Sequence, residues 1–217
     1  MIKAIVFDLD GTLIDRRKAF LSYCNYLIDQ YEPQAPFQVT RDELIHRMVE
    51  IDANGYGGLK NFIPKLKDIW ELPFTTEEFI RERNRTFSKF SVPMPGACEV
   101  LTELKSRYKL GIITNGYSDC QRDKIVAVGI APYFDDILVS GDVPYEKPDP
   151  EIFYLSCSRL KVDPEEMIYV GDYFPNDIAG ALAAKIKPIW ITEDPDERKE
   201  QYDGIRIRKV RDLLKLL

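Results

Sequence analysis

The chain of 217 residues carries a formal net charge of −6, one histidine and 45% apolar residues. That composition is ordinary for a globular protein and argues against disorder. The acidic balance leaves no electrostatic footprint for a nucleic acid polymer, so partners are expected to be small molecules. Cys24, Cys98, Cys120 and Cys157 form no CxxC pair, so neither a thiolate zinc site nor a disulfide framework is expected, and reduced cytoplasmic thiols are the simpler reading. About five apolar residues precede Asp8, too few for a secretory segment, and no run approaches membrane-spanning length.

In chain order, an apolar run over 4–8 reads as a strand that ends in acid. Residues 16–90 then read as helices only: one over 17–30, one opened by the capping box Thr40-Arg41-Asp42-Glu43 and reaching 51, one over 59–70, and one opened by Thr75-Thr76-Glu77-Glu78 and reaching 90. The glycine-rich stretch 54–58 separates two of them, and Val92-Pro93-Met94-Pro95-Gly96 reads as a return linker. His46, among Leu44, Ile45 and Met48, is expected to pack on a helix flank. Chemistry must therefore rest on carboxylates, lysine and hydroxyls.

From residue 91 onward, unbroken apolar runs at 110–114, 137–140, 167–170 and 188–192 alternate with helical patterns. Continuous apolarity predicts strands covered on both faces, hence a parallel sheet. The helix start signals are Pro95-Gly96 before 97–107, Ser118-Asp119 before 120–128, and Asp163-Pro164-Glu165-Glu166. The expected fold is α/β, a Rossmann-like doubly wound parallel sheet core formed by 1–15 and 91–217, with an inserted α-helical domain over 16–90.

Open α/β sheets bind ligands at the carboxyl ends of their strands. Those ends carry Asp8 and Asp10 with Gly11 and Thr12, then Thr114-Asn115-Gly116, then Lys147 in a proline-rich loop, then Asp172 and Asp177. Taken singly, each has an ordinary structural explanation: an Asp-Gly turn, a β-forming Thr, a surface lysine stiffened by prolines, an Asp at a helix start. Together they fall at one end of one sheet. Like charges about 4 Å apart repel by roughly 4 kcal/mol at an effective dielectric near 20, so a carboxylate cluster there calls for a cation. Oxygen-only ligands suit Mg²⁺, which takes one or two carboxylates plus substrate phosphate. A calcium-binding EF-hand fails because its sixth and twelfth positions would be Leu13 and Ala19. No phosphate-loop, nucleophile-elbow or dinucleotide fingerprint appears in context.

DLDGT at 8–12, the Thr of ITNG at 114, Lys147 of EKPDPEIF and GDYFPND at 171–177 resemble, in order, the four motifs of the haloacid dehalogenase superfamily. The helical insertion sits where that family carries its smaller, C1-type cap, and ITNG with the GDxxxxD spacing is similar to the branch containing pyrimidine 5′-nucleotidases. The resemblance implies a phosphomonoester hydrolase working through an aspartyl phosphate. Asp8 would be the nucleophile and Asp10 the general acid and base. Thr114 would bind a phosphoryl oxygen, and Lys147 would offset charge. Asp8, the Asp10 backbone carbonyl and Asp172 would hold Mg²⁺, with Asp177 orienting that shell. Thr12, Asn115 and Gly116 are expected to line the substrate, and Tyr56 and Lys60 of the cap to select it.

An acid at position 10 favours phosphoryl chemistry over dehalogenation, since a halide leaves without a proton. The expected substrate is a small phosphorylated metabolite, a nucleoside 5′-monophosphate being one candidate. The alternatives are a sugar-phosphate mutase of the same superfamily and a non-catalytic phosphate-binding scaffold. A response-regulator receiver is disfavoured by length and by motif order.

Overall fold

The computed structural model describes residues 1–32, 37, 39–193 and 202–217. The chain enters on β1 (Ala4–Phe7) and leaves it for four helices, α1 (Arg16–Tyr31), α2 (Arg41–Asp52), α3 (Leu59–Leu66) and α4 (Thr76–Thr86). It then runs α5 (Ala97–Lys105), β2 (Lys109–Thr114), α6 (Ser118–Ala127), β3 (Asp136–Val139), α7 (Pro150–Leu160), β4 (Met167–Gly171), α8 (Ala179–Ala183), β5 (Lys187–Ile191) and β6 (Ile205–Ile207). Two units result: Met1–Asp15 with Pro93–Leu217, and Arg16–Val92.

The first unit is a six-stranded sheet in the order β3-β2-β1-β4-β5-β6, with every pairing parallel. The chain builds outward from β1 in one direction through β2 and β3, and in the other through β4, β5 and β6. The strand order therefore reverses at β1, the kind of switch point where open sheets leave a crevice for ligands. Both faces are covered. Ile5, Phe7, Ile112, Ile168 and Val170 belong to one buried cluster, and Ala4, Val6, Ile113, Leu138 and Tyr169 to the other. This double coverage is the physical reason for the unbroken apolar runs. The return linker joins the sheet unit at Pro93, which bridges Ile14, while Met94 donates its N–H to the Leu13 carbonyl at 2.8 Å.

The helical unit follows its capping signals. Thr40 and Glu43 exchange hydrogen bonds at the start of α2, and Thr75 and Glu78 do the same at α4. On α1, Ala19, Phe20, Tyr23, Cys24, Leu27 and Ile28 form the buried stripe that 3.6-residue periodicity requires. Phe62 and Phe79 stack with centroids 4.9 Å apart, and Tyr23 packs edge-on to Phe87 at 5.4 Å. A buried bidentate pair ties α1 to α2, with Arg16 donating to Asp52 at 2.6 and 2.9 Å. Gly55, at φ +95°, lies where a Cβ would crowd that guanidinium.

Several expectations are corrected. Asp163 to Glu166 does build a capping box, but it opens only a 3₁₀ turn, because β4 begins at once with Met167. The helix between β3 and β4 is α7, capped by Asp149 with Pro150 in its first turn. The helix expected over 59–70 stops at Leu66, and α4 passes into a 3₁₀ turn over Phe87–Phe90. His46 does not pack: its side chain is 77% exposed, with Nε2 3.3 Å from Glu50. Among the described residues, no helix is long and apolar enough to cross a membrane.

Candidate active site

Side chains alternate along a strand, so Asp8 continues the face of Ala4 and Val6. Its N–H still donates to the Val170 carbonyl at 2.8 Å, which fixes the residue although the strand proper ends at Phe7. On the paired strand, Val6 lies opposite Tyr169, whose ring is in the same buried layer. Into this layer comes Lys147 from the loop after β3. Far from being a surface lysine, it is 4% exposed, and its Nζ donates to Asp8 Oδ1 at 2.6 Å, Asp177 Oδ1 at 2.7 Å and the Tyr169 hydroxyl at 2.9 Å. Asn115 holds the lysine's backbone from both sides, donating to the Lys147 carbonyl at 2.8 Å and accepting its N–H at 2.9 Å.

Asp172 follows β4, and Asp177 lies in the π-helical turn Phe174–Ile178. The Asp177 Oδ2 accepts the Tyr173 N–H at 2.9 Å. Asp172 Oδ1 accepts the Thr12 hydroxyl at 3.2 Å, and its backbone carbonyl accepts Trp190 Nε1 at 2.8 Å. Gly11, at φ +91°, passes so close to the Asp172 carboxylate that no Cβ fits. One carboxylate oxygen each from Asp8, Asp172 and Asp177 lies within 4.8 Å of the others.

Burial pushes the Asp8 carboxyl up to about 7 against the pull of the Lys147 ammonium. Asp172 is raised well above the carboxylate range, by burial first and then by the charges of Asp8 and Asp177. Burial would lower Lys147, but the charges on Asp177 and Asp8 outweigh it and hold the ammonium above the usual lysine range. Three carboxylates against one ammonium leave the cluster short of positive charge. A hard divalent cation with oxygen ligands fits that donor set.

The Asp10 carboxylate stands outside this trio. Its Oδ2 accepts from Lys124 Nζ at 2.6 Å and from Gln121 Nε2 at 3.0 Å, and the same Gln121 nitrogen lies 2.6 Å from Thr114 Oγ1. Lys124 and Gln121 are both buried, one turn apart on α6. They were not singled out from the sequence, nor was Tyr169.

Other expected site residues sit as follows. Thr12 is fully buried, and its hydroxyl donates to the Asp172 carboxylate. Asn115 serves the Lys147 backbone, and Gly116 donates its N–H to Ser140 Oγ at 3.0 Å. Tyr56 and Lys60 belong to the helical unit: Tyr56 is 45% exposed after the 3₁₀ turn Ala53–Gly55, and Lys60 is exposed in the first turn of α3.

Comparison with known proteins identifies the family and the fold. A model of the haloacid dehalogenase-like hydrolases matches residues 5–191. A glyceraldehyde 3-phosphate phosphatase of Methanothermobacter thermautotrophicus is 30% identical, the match covering 100% of this chain and 98% of the relative. The human N-acylneuraminate-9-phosphatase is 30% identical over 210 residues, covering 89% of this chain and 84% of that one. A magnesium-bound hydrolase of the same superfamily from Bacillus subtilis shares the fold, with a TM-score of 0.80 at 22% identity over 100% of this chain and 98% of its own. The chain belongs to the haloacid dehalogenase-like hydrolase family.

Proposed function

We propose that this hydrolase is a Mg²⁺-dependent phosphomonoesterase that acts on a small phosphorylated metabolite through an aspartyl phosphate on Asp8. The observation that carries this reading is the meeting of Asp8, Asp172 and Asp177 around Lys147 at the carboxyl ends of β1 and β4. Relatives spanning nearly the whole chain are phosphatases by name, which supports the reaction class.

Asp8 attacks phosphorus, forming one O–P bond while the ester O–P bond breaks, and so divides a hard displacement into two easier ones. Lys147 holds Oδ1 of the nucleophile, which leaves Oδ2 to attack, and it offsets the charge of an incoming phosphate. Asp10 protonates the departing alcohol and then takes a proton from the water that releases phosphate. Thr114 donates to a phosphoryl oxygen. Mg²⁺ held by Asp8 and Asp172, with the Asp10 carbonyl, would supply the remaining positive charge needed for two anions to meet. Asp177, whose two oxygens accept from Lys147 and Tyr173, orients that shell.

The helical unit is assigned the role of the cap that selects the leaving group, to be read as substrate-dependent KM changes in Tyr56→Ala and Lys60→Ala. The deciding experiment follows phosphate release from p-nitrophenyl phosphate, with Mg²⁺ and with EDTA, by the wild type and Asp8→Asn. Release that needs Mg²⁺ and disappears in Asp8→Asn supports the proposal; equal rates in the two proteins end it. A panel of glyceraldehyde 3-phosphate, N-acylneuraminate 9-phosphate and nucleoside 5′-monophosphates then locates the substrate.

A further inference from the structure

Gln121 lies between the Asp10 carboxylate and the Thr114 hydroxyl, within hydrogen-bond distance of both. One side of its amide faces Asp10 Oδ2 at 3.0 Å, an oxygen that also accepts from the Lys124 ammonium at 2.6 Å. An oxygen receiving a lysine proton acts there as an acceptor, so an amide carbonyl turned toward it would set two acceptors against each other. The amide nitrogen must therefore face Asp10. That same nitrogen lies 2.6 Å from Thr114 Oγ1, so the hydroxyl must accept from it. A threonine hydroxyl has one proton and two lone pairs. Once a lone pair is taken by Gln121, the proton is the part directed elsewhere. Thr114 is the last residue of β2 and is 1% exposed, so the direction of its O–H is set by packed neighbours rather than by bulk water.

We infer that Gln121 is a positioning residue that turns the Thr114 hydroxyl into a donor aimed at the phosphoryl group. This inference rests on the phosphomonoesterase reading and deepens it. Asp10 and Lys124 fix the sense of the Gln121 amide, Gln121 fixes the sense of the Thr114 hydroxyl, and Thr114 meets the anion. With the opposite amide orientation, Thr114 would spend its proton on Gln121 and present a lone pair to an anionic oxygen.

The test is a double-mutant cycle. Gln121→Met removes the amide at similar length, and Gln121→Glu keeps the shape but supplies only acceptors. Each is made with Thr114, Thr114→Ser and Thr114→Val, and is read by kcat and KM on p-nitrophenyl phosphate and by the inhibition constant of orthovanadate. Thermal unfolding identifies the folded proteins. With Thr114 or Ser present, Gln121→Met lowers kcat/KM about tenfold and Gln121→Glu about a hundredfold, and vanadate weakens in parallel. With Val, which has no hydroxyl to direct, the Gln121→Met factor shrinks to about twofold or less. The same tenfold factor in the Thr114→Val protein, or no loss in Gln121→Met with Thr114 present, overturns the inference. If Gln121→Met does not fold, Gln121→Glu across Thr114 and Thr114→Val is read by the same criterion. A wild type that releases no phosphate refutes the phosphomonoesterase reading and the inference with it, whereas an active wild type with additive factors refutes the inference alone.

Discussion

Lys147→Met removes the ammonium that contacts both Asp8 and Asp177 while roughly preserving side-chain length. In the wild type, Nζ sits 2.6 and 2.7 Å from its two carboxylate partners, and the side chains of all three residues are less than 10% exposed. At an effective dielectric near 20, each contact amounts to about 6 kcal/mol of attraction. Most of that is offset by the cost of taking the lysine and two carboxylates out of water. Removing one partner does not return the desolvation cost of the others, and a buried charge left alone in this way destabilises by about 3–5 kcal/mol. Against a typical net stability of about 5–15 kcal/mol, that is a large fraction of the whole. The assay is urea unfolding at neutral pH in EDTA, followed by circular dichroism, for wild type and Lys147→Met. Adding Asp177→Asn to Lys147→Met should return part of the loss, since one carboxylate fewer is left uncompensated. Magnesium at about a hundred times its dissociation constant should raise the mutant by about 2.7 kcal/mol. A loss below about 1 kcal/mol in Lys147→Met, or no recovery on adding Asp177→Asn, would refute the charge-balance reasoning.

Other expectations follow from the same geometry. Gly11→Ala meets both a positive φ and the Asp172 carboxylate, so it should cost more than about 1 kcal/mol and abolish the Mg²⁺-induced rise in melting temperature; a protein whose Mg²⁺ shift survives would contradict the assigned role of the turn. In the helical unit, Arg16→Met strands Asp52 in a buried position and should cost about 3–5 kcal/mol in urea unfolding, while Arg16→Met with Asp52→Leu should cost much less. Of the four thiols, only Cys98 is exposed, and burial raises the Cys157 thiol to about 11. Ellman's reagent should titrate one cysteine in the native protein and four in urea, and more than one rapid equivalent would contradict the described packing.

Much of the sheet unit was legible because its signals are local and redundant. The strands are short apolar runs; β1 and β4 run into Asp8 and Asp172, and β2 into Asn115-Gly116, where the sheet stops. That placed Asp8, Thr114, Lys147 and Asp172 at one end before any distance was known. Tyr169 escaped notice because a buried tyrosine inside an apolar run carries no mark of its hydroxyl's partners. Gln121 and Lys124 were invisible for the opposite reason: on α6 they look like the polar residues that cover any surface helix, and only the inward turn of that face reveals them. The 3₁₀ turn at Pro164–Glu166 shows that a capping box reports how a turn begins, not how long the helix runs. Strand β6, three residues with Arg206 at its centre, is too short for its periodicity to stand out. The ordering of Thr12 on Asp172 and of Asn115 on Lys147 depends on chain segments far apart in sequence, which no local pattern encodes.

The most direct measurement is a stopped-flow trace of p-nitrophenolate release under excess p-nitrophenyl phosphate. This leaving group needs little protonation, so Asp10→Asn should still transfer phosphate to Asp8 but should release it slowly. The predicted result is a burst of about one equivalent of p-nitrophenolate per Asp10→Asn protein followed by slow turnover, with no burst once Asp8→Asn is added. Steady release without a burst, or a burst that persists without Asp8, would contradict a phosphorylated Asp8.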